Sequence, residues 1–145
     1  MLEYFKGIEI NKINPVGEDP RGPTYEWCKG IPGIQLTVCK RHKGVVSGNH
    51  YHKGDDPSKN PERLLLVNGN FKLIARNDMA EKHLEAIINE GDELIIHPGI
   101  LHSFEALTDI TFLEYRQTIF NKACPDTYAE DTYSSYISQL RESKR

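Results

Sequence analysis

Cysteine is scarce in this sequence of 145 residues, which has only Cys28, Cys39 and Cys124. The number is odd, and no two of the three are spaced as a CxxC pair. A disulfide-stapled scaffold and a thiolate zinc site are therefore both disfavoured. We expect reduced, partly buried thiols that behave as small apolar side chains.

Long apolar runs and clustered positive charge are also missing. No apolar run reaches membrane-spanning length, and the N-terminus lacks the basic-then-apolar layout of a signal peptide. We therefore expect a cytoplasmic protein with no membrane partner. The net charge is -3, and the one cationic cluster, at residues 40–43, is too short for a nucleic-acid surface. We expect that cluster to lie in a solvated turn and nucleic acid not to be a partner.

Short β-rich runs fill the chain, and Gly and Pro separate them about every ten residues. This pattern predicts one domain over residues 1–145, built as an antiparallel sandwich or barrel. Helix signal is confined to a possible turn at 77–84 and to a helix at about 131–142 with apolar residues at helical spacing. The predicted strands are 8–13, 34–40, 63–67, 71–75, 86–88, 93–96, 102–106 and 110–116.

Two histidines stand at alternate positions in the segment His50-Tyr51-His52. Because side chains alternate faces along a strand, both imidazoles point the same way and Tyr51 points to the opposite face. Paired imidazoles together with a carboxylate from a neighbouring strand make a nitrogen and oxygen cage. Such a cage suits Fe, Mn, Ni, Zn or Co.

Two spaced motifs surround this pair. The first, at 44–69, consists of Gly44, His50, His52, Glu62 and Gly69. The second, at 91–105, contains Gly91, His97, Gly99 and His102. In this order and spacing the motifs resemble the cupin superfamily from about residue 34 to about residue 116.

The resemblance implies an all-β fold, a single cupin-type jelly-roll β-barrel, to which the sequence adds a short C-terminal helix. It also implies that one divalent metal ion (Zn, Fe, Mn or Ni) is bound by His50, His52, Glu62 and His102. The sequence departs from the cupin pattern in the nine residues between His52 and Glu62, so Asp55 or Asp56 could replace Glu62. We prefer Glu62, because its strand leads directly into the next predicted turn, and we expect the insertion to bulge outward as a lid.

A closer resemblance is carried by three segments: residues 48–52, residues 21–27 and residues 124–128. They are similar to the C-terminal cupin domain of bacterial capsular polysaccharide-assembling reductases and, more loosely, to the dTDP-4-dehydrorhamnose 3,5-epimerases. This implies an epimerase or isomerase of polysaccharide biosynthesis that acts on a nucleotide-linked keto sugar. Its reaction would begin with proton abstraction next to a ketone.

The sequence offers several candidates for the base of that reaction. In the metal-free epimerases the residue equivalent to His50 is the base, which a metal ligand cannot also be. His97, Tyr51 and Tyr115 are the remaining candidates for a catalytic group. Ser47 stands where the epimerases have an arginine, and Arg76 or Arg116 could compensate for it.

Other possibilities stay open. An Fe(II)-dependent cupin dioxygenase would use the same ligands, and a non-catalytic small-molecule or sugar-binding cupin would keep the barrel without a positioned base. Tyr4 and Phe5 would suit a strand exchanged across a homodimer, which is the assembly we expect.

Overall fold

The structure is a computed structural model that describes residues 5–123 and 125–144. Twelve strands, two short 3-10 helices and one α-helix make up the described part of the chain. The strands are β1 (Ile8–Lys12), β2 (Gly17–Asp19), β3 (Gly22–Thr24), β4 (Gln35–Arg41), β5 (Val46–Tyr51), β6 (Glu62–Asn68), β7 (Asn70–Asn77), β8 (Lys82–Asn89), β9 (Asp92–Ile96), β10 (Leu101–Ala106), β11 (Ile110–Arg116) and β12 (Tyr128–Ala129). The 3-10 helices are Pro57–Lys59 and Glu130–Thr132, and the α-helix α1 is Tyr133–Ser143.

Two five-stranded sheets form the body of the molecule. The first has the strand order β1-β9-β6-β11-β4 and the second β12-β5-β10-β7-β8, and β2 and β3 form a separate hairpin. Every strand pair is antiparallel. The all-β, cupin-type jelly roll expected from the sequence is thereby confirmed.

The core lies between the two sheets. Alternate residues of β6 and β11, such as Leu64, Leu66 and Phe112, pack against Phe71 and Phe104 of the second sheet. This is the alternation that period-two strands produce when one face of each sheet is buried.

The helix α1 covers the outer face of the second sheet. Tyr133 and Ile137 of the helix pack with Tyr51 and Leu101 in a second, separate apolar cluster. The predicted C-terminal helix is confirmed, although its first expected residues form the 3-10 helix Glu130–Thr132. No helix in the described part of the chain is long and apolar enough to cross a membrane.

The helical turn expected at 77–84 is wrong. β7 and β8 form a continuous hairpin there, paired up to Asn77 and Lys82. The Asn77 side-chain oxygen accepts a hydrogen bond from the backbone N–H of Ala80 at 3.2 Å, and this local bond favours a tight turn over a helix.

At the N-terminus, Phe5 packs into the core of its own chain, whereas Tyr4 lies outside the described residues. The homodimer expected from the sequence stays a prediction. Cys39 is buried and Cys28 half-buried, both as free thiols, while Cys124 lies outside the described residues.

Candidate metal centre

A cavity of about 200 Å³ opens between the two sheets at one end of the barrel. Its wall mixes imidazoles, charged groups and aromatic rings, unlike the uniformly apolar core beneath it. The lining residues are Arg41, Ser47, Gly48, His50, His52, Lys59, Glu62, His102, Phe104, Phe112, Glu114, Arg116, Phe120 and Thr127.

A β-bulge between β5 and β10 sets the direction of two of the histidines. His102 pairs with His50, but Ser103 pairs with Gly48, so one extra residue, Asn49, stands in β5. Gly48 has a φ of +87°, and a Cβ there would lie 3.0 Å from the carbonyl oxygen of His102. Glycine is therefore required for this close approach of the strands, and bulges of this kind commonly re-aim side chains beside functional sites.

The three histidines meet inside the cavity. His50, His52 and His102 each offer a ring nitrogen, and these nitrogens all lie within 4.8 Å of one another. Glu62, the first residue of β6, brings Oε1 to 3.1 Å from His52 Nε2 and Oε2 to 3.6 Å from His102 Nε2. His52, Glu62 and His102 are buried, and His50 is half-buried.

Backbone carbonyls fix which nitrogen of two imidazoles faces the centre. His52 Nδ1 lies 2.8 Å from the carbonyl oxygen of Asp126, and His102 Nδ1 lies 3.0 Å from that of Ile100. A carbonyl oxygen only accepts, so both Nδ1 atoms carry the hydrogen and, in the neutral rings, both Nε2 atoms present a lone pair. This is the arrangement that holds metal-binding histidines in place.

The close approach of His52 and Glu62 is favourable only when a proton or a metal ion lies between the two side chains. Their contact lacks hydrogen-bond geometry, and His52 Nε2 is a buried nitrogen without a hydrogen-bond partner in the described part of the chain. A lone pair facing a carboxylate at this distance is repulsive unless a proton or a metal ion lies between the two atoms. The donor set and the orphaned nitrogen therefore both fit a divalent cation.

The electrostatics of the cluster point the same way. Burial lowers the pKa of His50 to about 4, with help from the charges of His102 and His52, and burial also lowers the pKa of His102. Burial alone would raise the pKa of Glu62, but His52 and the other imidazoles lower it to about 2. For His52 the carboxylate of Glu62 outweighs burial and raises the pKa. The cluster thus holds an ionised carboxylate beside two imidazoles, His50 and His102, that burial keeps neutral, and these are the forms in which carboxylates and imidazoles bind metal ions.

Glu62, and not Asp56, is the carboxylate at the histidines. Asp56 is buried, but its Oδ1 accepts a hydrogen bond from the backbone N–H of Ser58 at 2.9 Å and so caps the 3-10 helix Pro57–Lys59. Asp56 therefore has a structural role in the described chain.

The insertion between His52 and Glu62 does not bulge outward as we expected. The backbone N–H groups of Lys53, Gly54 and Asp56 donate to the carboxylate of Asp126 at 3.0 to 3.1 Å. These bonds hold the pKa of Asp126 below its ordinary value, although burial opposes them. The insertion is thus tied down against the segment that follows β11, and it places Lys59 in the cavity wall.

None of the three residues that the sequence suggested as catalytic groups lines the cavity. Tyr51 points to the opposite face, as the alternation predicted, and packs under α1, where its hydroxyl bonds Thr132 Oγ1 at 2.7 Å. The Tyr115 hydroxyl donates to the carbonyl of Ile31 on the outer face of the first sheet. His97 has a 44% exposed side chain and pairs with Glu9 at 2.8 Å. A catalytic role for Tyr51, His97 or Tyr115 therefore lacks support from this geometry.

The sequence analysis did not place four charged residues of the cavity wall at the site. Arg41 was assigned to a solvated turn, yet it ends β4 and bonds Ser47 Oγ at 3.2 Å. Glu114 and Arg116 lie on the face of β11 that also carries Phe112, so strict alternation along β11 would have found them. Arg116 had been named only as one of two possible replacements for the missing arginine. Lys59 had no sequence signal at all.

Comparison with known proteins agrees with this architecture. Residues 17–128 match the polysaccharide biosynthesis C-terminal domain family, whereas no curated protein matches the chain. Among solved structures, the dTDP-4-dehydrorhamnose 3,5-epimerase of Sulfolobus tokodaii is 26% identical, with a TM-score of 0.64 over 87% of this chain and 78% of that chain.

Two more distant structures share the fold. A variant of the 3,4-ketoisomerase QdtA from Thermoanaerobacterium thermosaccharolyticum, in complex with TDP-4-keto-6-deoxyglucose, is 14% identical, with a TM-score of 0.74 over 94% of this chain and 97% of that chain. The 3'-monoepimerase ChmJ from Streptomyces bikiniensis, in complex with dTDP-quinovose, is 17% identical, with a TM-score of 0.67 over 85% of this chain and 69% of that chain.

Proposed function

The chain belongs to the polysaccharide biosynthesis C-terminal domain family, and from that premise we propose that it is a metal-dependent isomerase or epimerase of a nucleotide-linked keto sugar. The observation that carries the proposal is the buried cluster of His50, His52, Glu62 and His102 inside a cavity. Relatives of the same fold that bind or act on dTDP-linked sugars support the choice of substrate class.

The remaining cavity wall suits such a substrate. Phe104, Phe112 and Phe120 offer apolar rings on which the carbon face of a sugar can pack. Arg41 and Lys59 are cationic and form no ion pair with a carboxylate in the described chain, whereas Arg116 is paired with Glu114. The unpaired positive charge favours an anionic ligand such as a nucleoside diphosphate sugar.

The four ligands would be His50, His52, Glu62 and His102. When bound there, a divalent cation would polarise a carbonyl oxygen and stabilise the negative charge that develops on it. The chain's own contribution is to hold two of the imidazoles by their Nδ1 hydrogen bonds and to keep the cluster buried, where electrostatic stabilisation is stronger than in water. The proposal is open as to whether the ion is Zn, Fe, Mn or Ni.

The test is to incubate the metal-loaded protein with TDP-4-keto-6-deoxyglucose and follow the sugar by NMR. We expect the signals of an epimer or of a sugar with a shifted ketone, and we expect the His102→Ala variant to leave the sugar unchanged. Unchanged spectra from folded, metal-loaded wild-type protein with a panel of nucleotide-linked 4-keto sugars would contradict the proposal.

The same three-His, one-carboxylate set also serves iron oxygenases, so a dioxygenase is the second candidate. It predicts near-stoichiometric iron and oxygen consumption with a small-molecule substrate. Binding of a sugar without turnover or oxygen uptake would instead favour a non-catalytic sugar-binding protein.

A further inference from the structure

Lys59 is buried in the cavity wall, where the described residues give it no anionic partner. Its residue is 6% exposed, and its Nζ donates to the carbonyl oxygen of Pro125 at 2.5 Å and to Thr127 Oγ1 at 2.8 Å. Thr127 Oγ1 itself donates to the same Pro125 carbonyl. Both partners of the ammonium group are therefore neutral acceptors, and they use two of its three N–H groups.

No carboxylate of the described residues lies within ion-pair distance of Lys59 Nζ. Burial lowers the pKa of this amine, while Glu62 and Asp56 act against burial from farther away and Arg116 acts with it. The ring of Phe120 lies 4.6 Å from Nζ and offers a weak cation–π contact. A buried ammonium with one free donor is costly unless an anion or a strong acceptor completes its surroundings.

The position of Lys59 indicates which part of a ligand would accept the third hydrogen bond of its ammonium group. It ends the 3-10 helix of the insertion, its side chain lines the cavity, and its charge disfavours protonation of both His50 and His52, so it lies at the end where the histidines are. Arg41 also lines the cavity, where its Nε donates to Ser47 Oγ at 3.2 Å. A cavity of about 200 Å³ is smaller than the roughly 300–1,000 Å³ of sites that enclose a complete drug-sized ligand. It has room for the sugar ring but not for the whole nucleotide sugar.

We infer that Lys59 donates its third N–H to an oxygen of the keto sugar, at the reacting carbons and beside the histidine cluster. Lys59 is thus a substrate-contacting residue that distinguishes the sugar from the nucleoside diphosphate and stabilises negative charge on that oxygen. The inference rests on the proposed function. It assigns a role to the insertion, which the cupin motifs do not contain.

The experiment compares Lys59→Met and Lys59→Arg with a control from the same insertion, Lys53→Met. Lys53 Nζ lies over the ring of Tyr128 at 4.2 Å and does not line the cavity. For each protein, calorimetry would measure the affinities for TDP and for TDP-4-keto-6-deoxyglucose. Metal content and the melting temperature would be recorded alongside kcat and KM.

For Lys59→Met we expect kcat to fall about 100- to 1,000-fold, as it does when a charge-stabilising donor is removed. Metal content and TDP affinity should stay within twofold of wild type, and the preference for the keto sugar over TDP should be lost. Lys59→Arg should recover part of kcat, and Lys53→Met should equal wild type. If Lys59→Met does not fold, two other measurements test the inference: the kcat of Lys59→Arg, and the recovery of kcat when ethylammonium is added to Lys59→Ala.

Two results would overturn the inference. If TDP affinity falls in Lys59→Met while the preference for the keto sugar persists, Lys59 contacts the diphosphate and not the sugar. If an active wild type and Lys59→Met share the same kcat, Lys59 has no role at the reacting end. A wild type that neither binds nor converts keto sugars is a separate outcome, because it contradicts the proposed function before any Lys59 variant is compared.

Discussion

Strand β5 presents two very different environments on its two faces. On the inner face, His50 lies in a cluster that includes a buried nitrogen without a hydrogen-bond partner and a carboxylate in close contact with two imidazoles. On the outer face, the neighbouring Tyr51 is stacked on Tyr128 and Tyr136, and its hydroxyl bonds Thr132. Both regions are buried and rich in rings, but among the described residues the inner one leaves a buried nitrogen, His52 Nε2, without a hydrogen-bond partner.

This difference separates a binding site from a structural cluster. A packed aromatic cluster stabilises the fold by burying area and satisfying its hydroxyl groups. The histidine cluster does the opposite, because it keeps charge and lone pairs buried at a cost to stability. We conclude that the inner face is adapted to bind a ligand and that the outer face anchors α1.

The largest effect is expected from removing an imidazole of the inner cluster. In His102→Ala, metal content should fall from about one ion per chain to near zero, and activity should fall about 1,000-fold, since a bound cation stabilises the transition state by several kcal/mol. Elemental analysis of purified protein measures the first effect and the sugar assay the second. Retention of a full equivalent of metal by folded His102→Ala would contradict the ligand assignment.

Asp126 holds the insertion next to the inner cluster, and we expect its substitution to have an intermediate effect on stability and metal affinity. In Asp126→Ala, three backbone donors of the insertion lose their acceptor, so the free energy of unfolding should fall by about 1–3 kcal/mol. The backbone carbonyl of residue 126 that accepts from His52 Nδ1 is kept, but it is no longer anchored to the insertion through the side chain, so metal affinity should fall by up to about tenfold. Urea denaturation and metal titration measure the two changes. Asp126→Asn, which keeps one side-chain acceptor, should be affected less, and equal stability of all three proteins would refute the role of this residue.

Substitutions on the outer face should change the free energy of unfolding but not metal binding or activity. Tyr51→Phe removes one hydroxyl and its hydrogen bond to Thr132, which should lower the free energy of unfolding by about 1 kcal/mol. Metal content and kcat should not change. A large loss of kcat in folded, metal-loaded Tyr51→Phe would restore Tyr51 as a catalytic candidate and remove the distinction between the two faces.

The smallest effect is expected at His97, which lies on the surface and outside both clusters. Because its side chain is 44% exposed and its one ion pair within residues 5–123 and 125–144 is with the exposed Glu9, His97→Ala should change stability by no more than about 0.5 kcal/mol. It is the matched control for His102→Ala, since each variant removes one histidine of the second motif. Loss of metal from this variant would mean that the cluster extends beyond the cavity.

The sequence predicted the inner cluster more fully than its surroundings. Alternation along β5 placed His50 and His52 on one face and Tyr51 on the other, and motif spacing added Glu62 and His102. The same alternation along β11 would have placed Glu114 and Arg116 in the cavity, but from the sequence Arg116 was named only as a possible replacement for the missing arginine and Glu114 was not named at all. Local patterns of this kind suffice where a regular strand determines the side-chain direction.

The insertion could not be predicted in the same way. Its path depends on the carboxylate of Asp126, which lies 70 residues from Asp56 along the chain, and no local pattern encodes such a contact. The extra length between His52 and Glu62 therefore suggested an outward loop, whereas long-range hydrogen bonds draw the insertion into the wall together with Lys59. The helical turn expected at 77–84 was wrong for a related reason, because the pairing of β7 with β8 overrides a weak local preference.

Hydrogen exchange at the sugar carbon tests the central claim most directly. The protein would be incubated in D₂O with TDP-4-keto-6-deoxyglucose, once loaded with metal and once after chelation, and deuterium at the carbon next to the ketone would be measured by mass spectrometry. We predict incorporation by the loaded protein, its loss after chelation and its return when metal is restored. Equal incorporation by chelated, verified metal-free protein, or none by loaded protein that binds the sugar, would contradict the account of a metal centre that promotes proton transfer on a keto sugar.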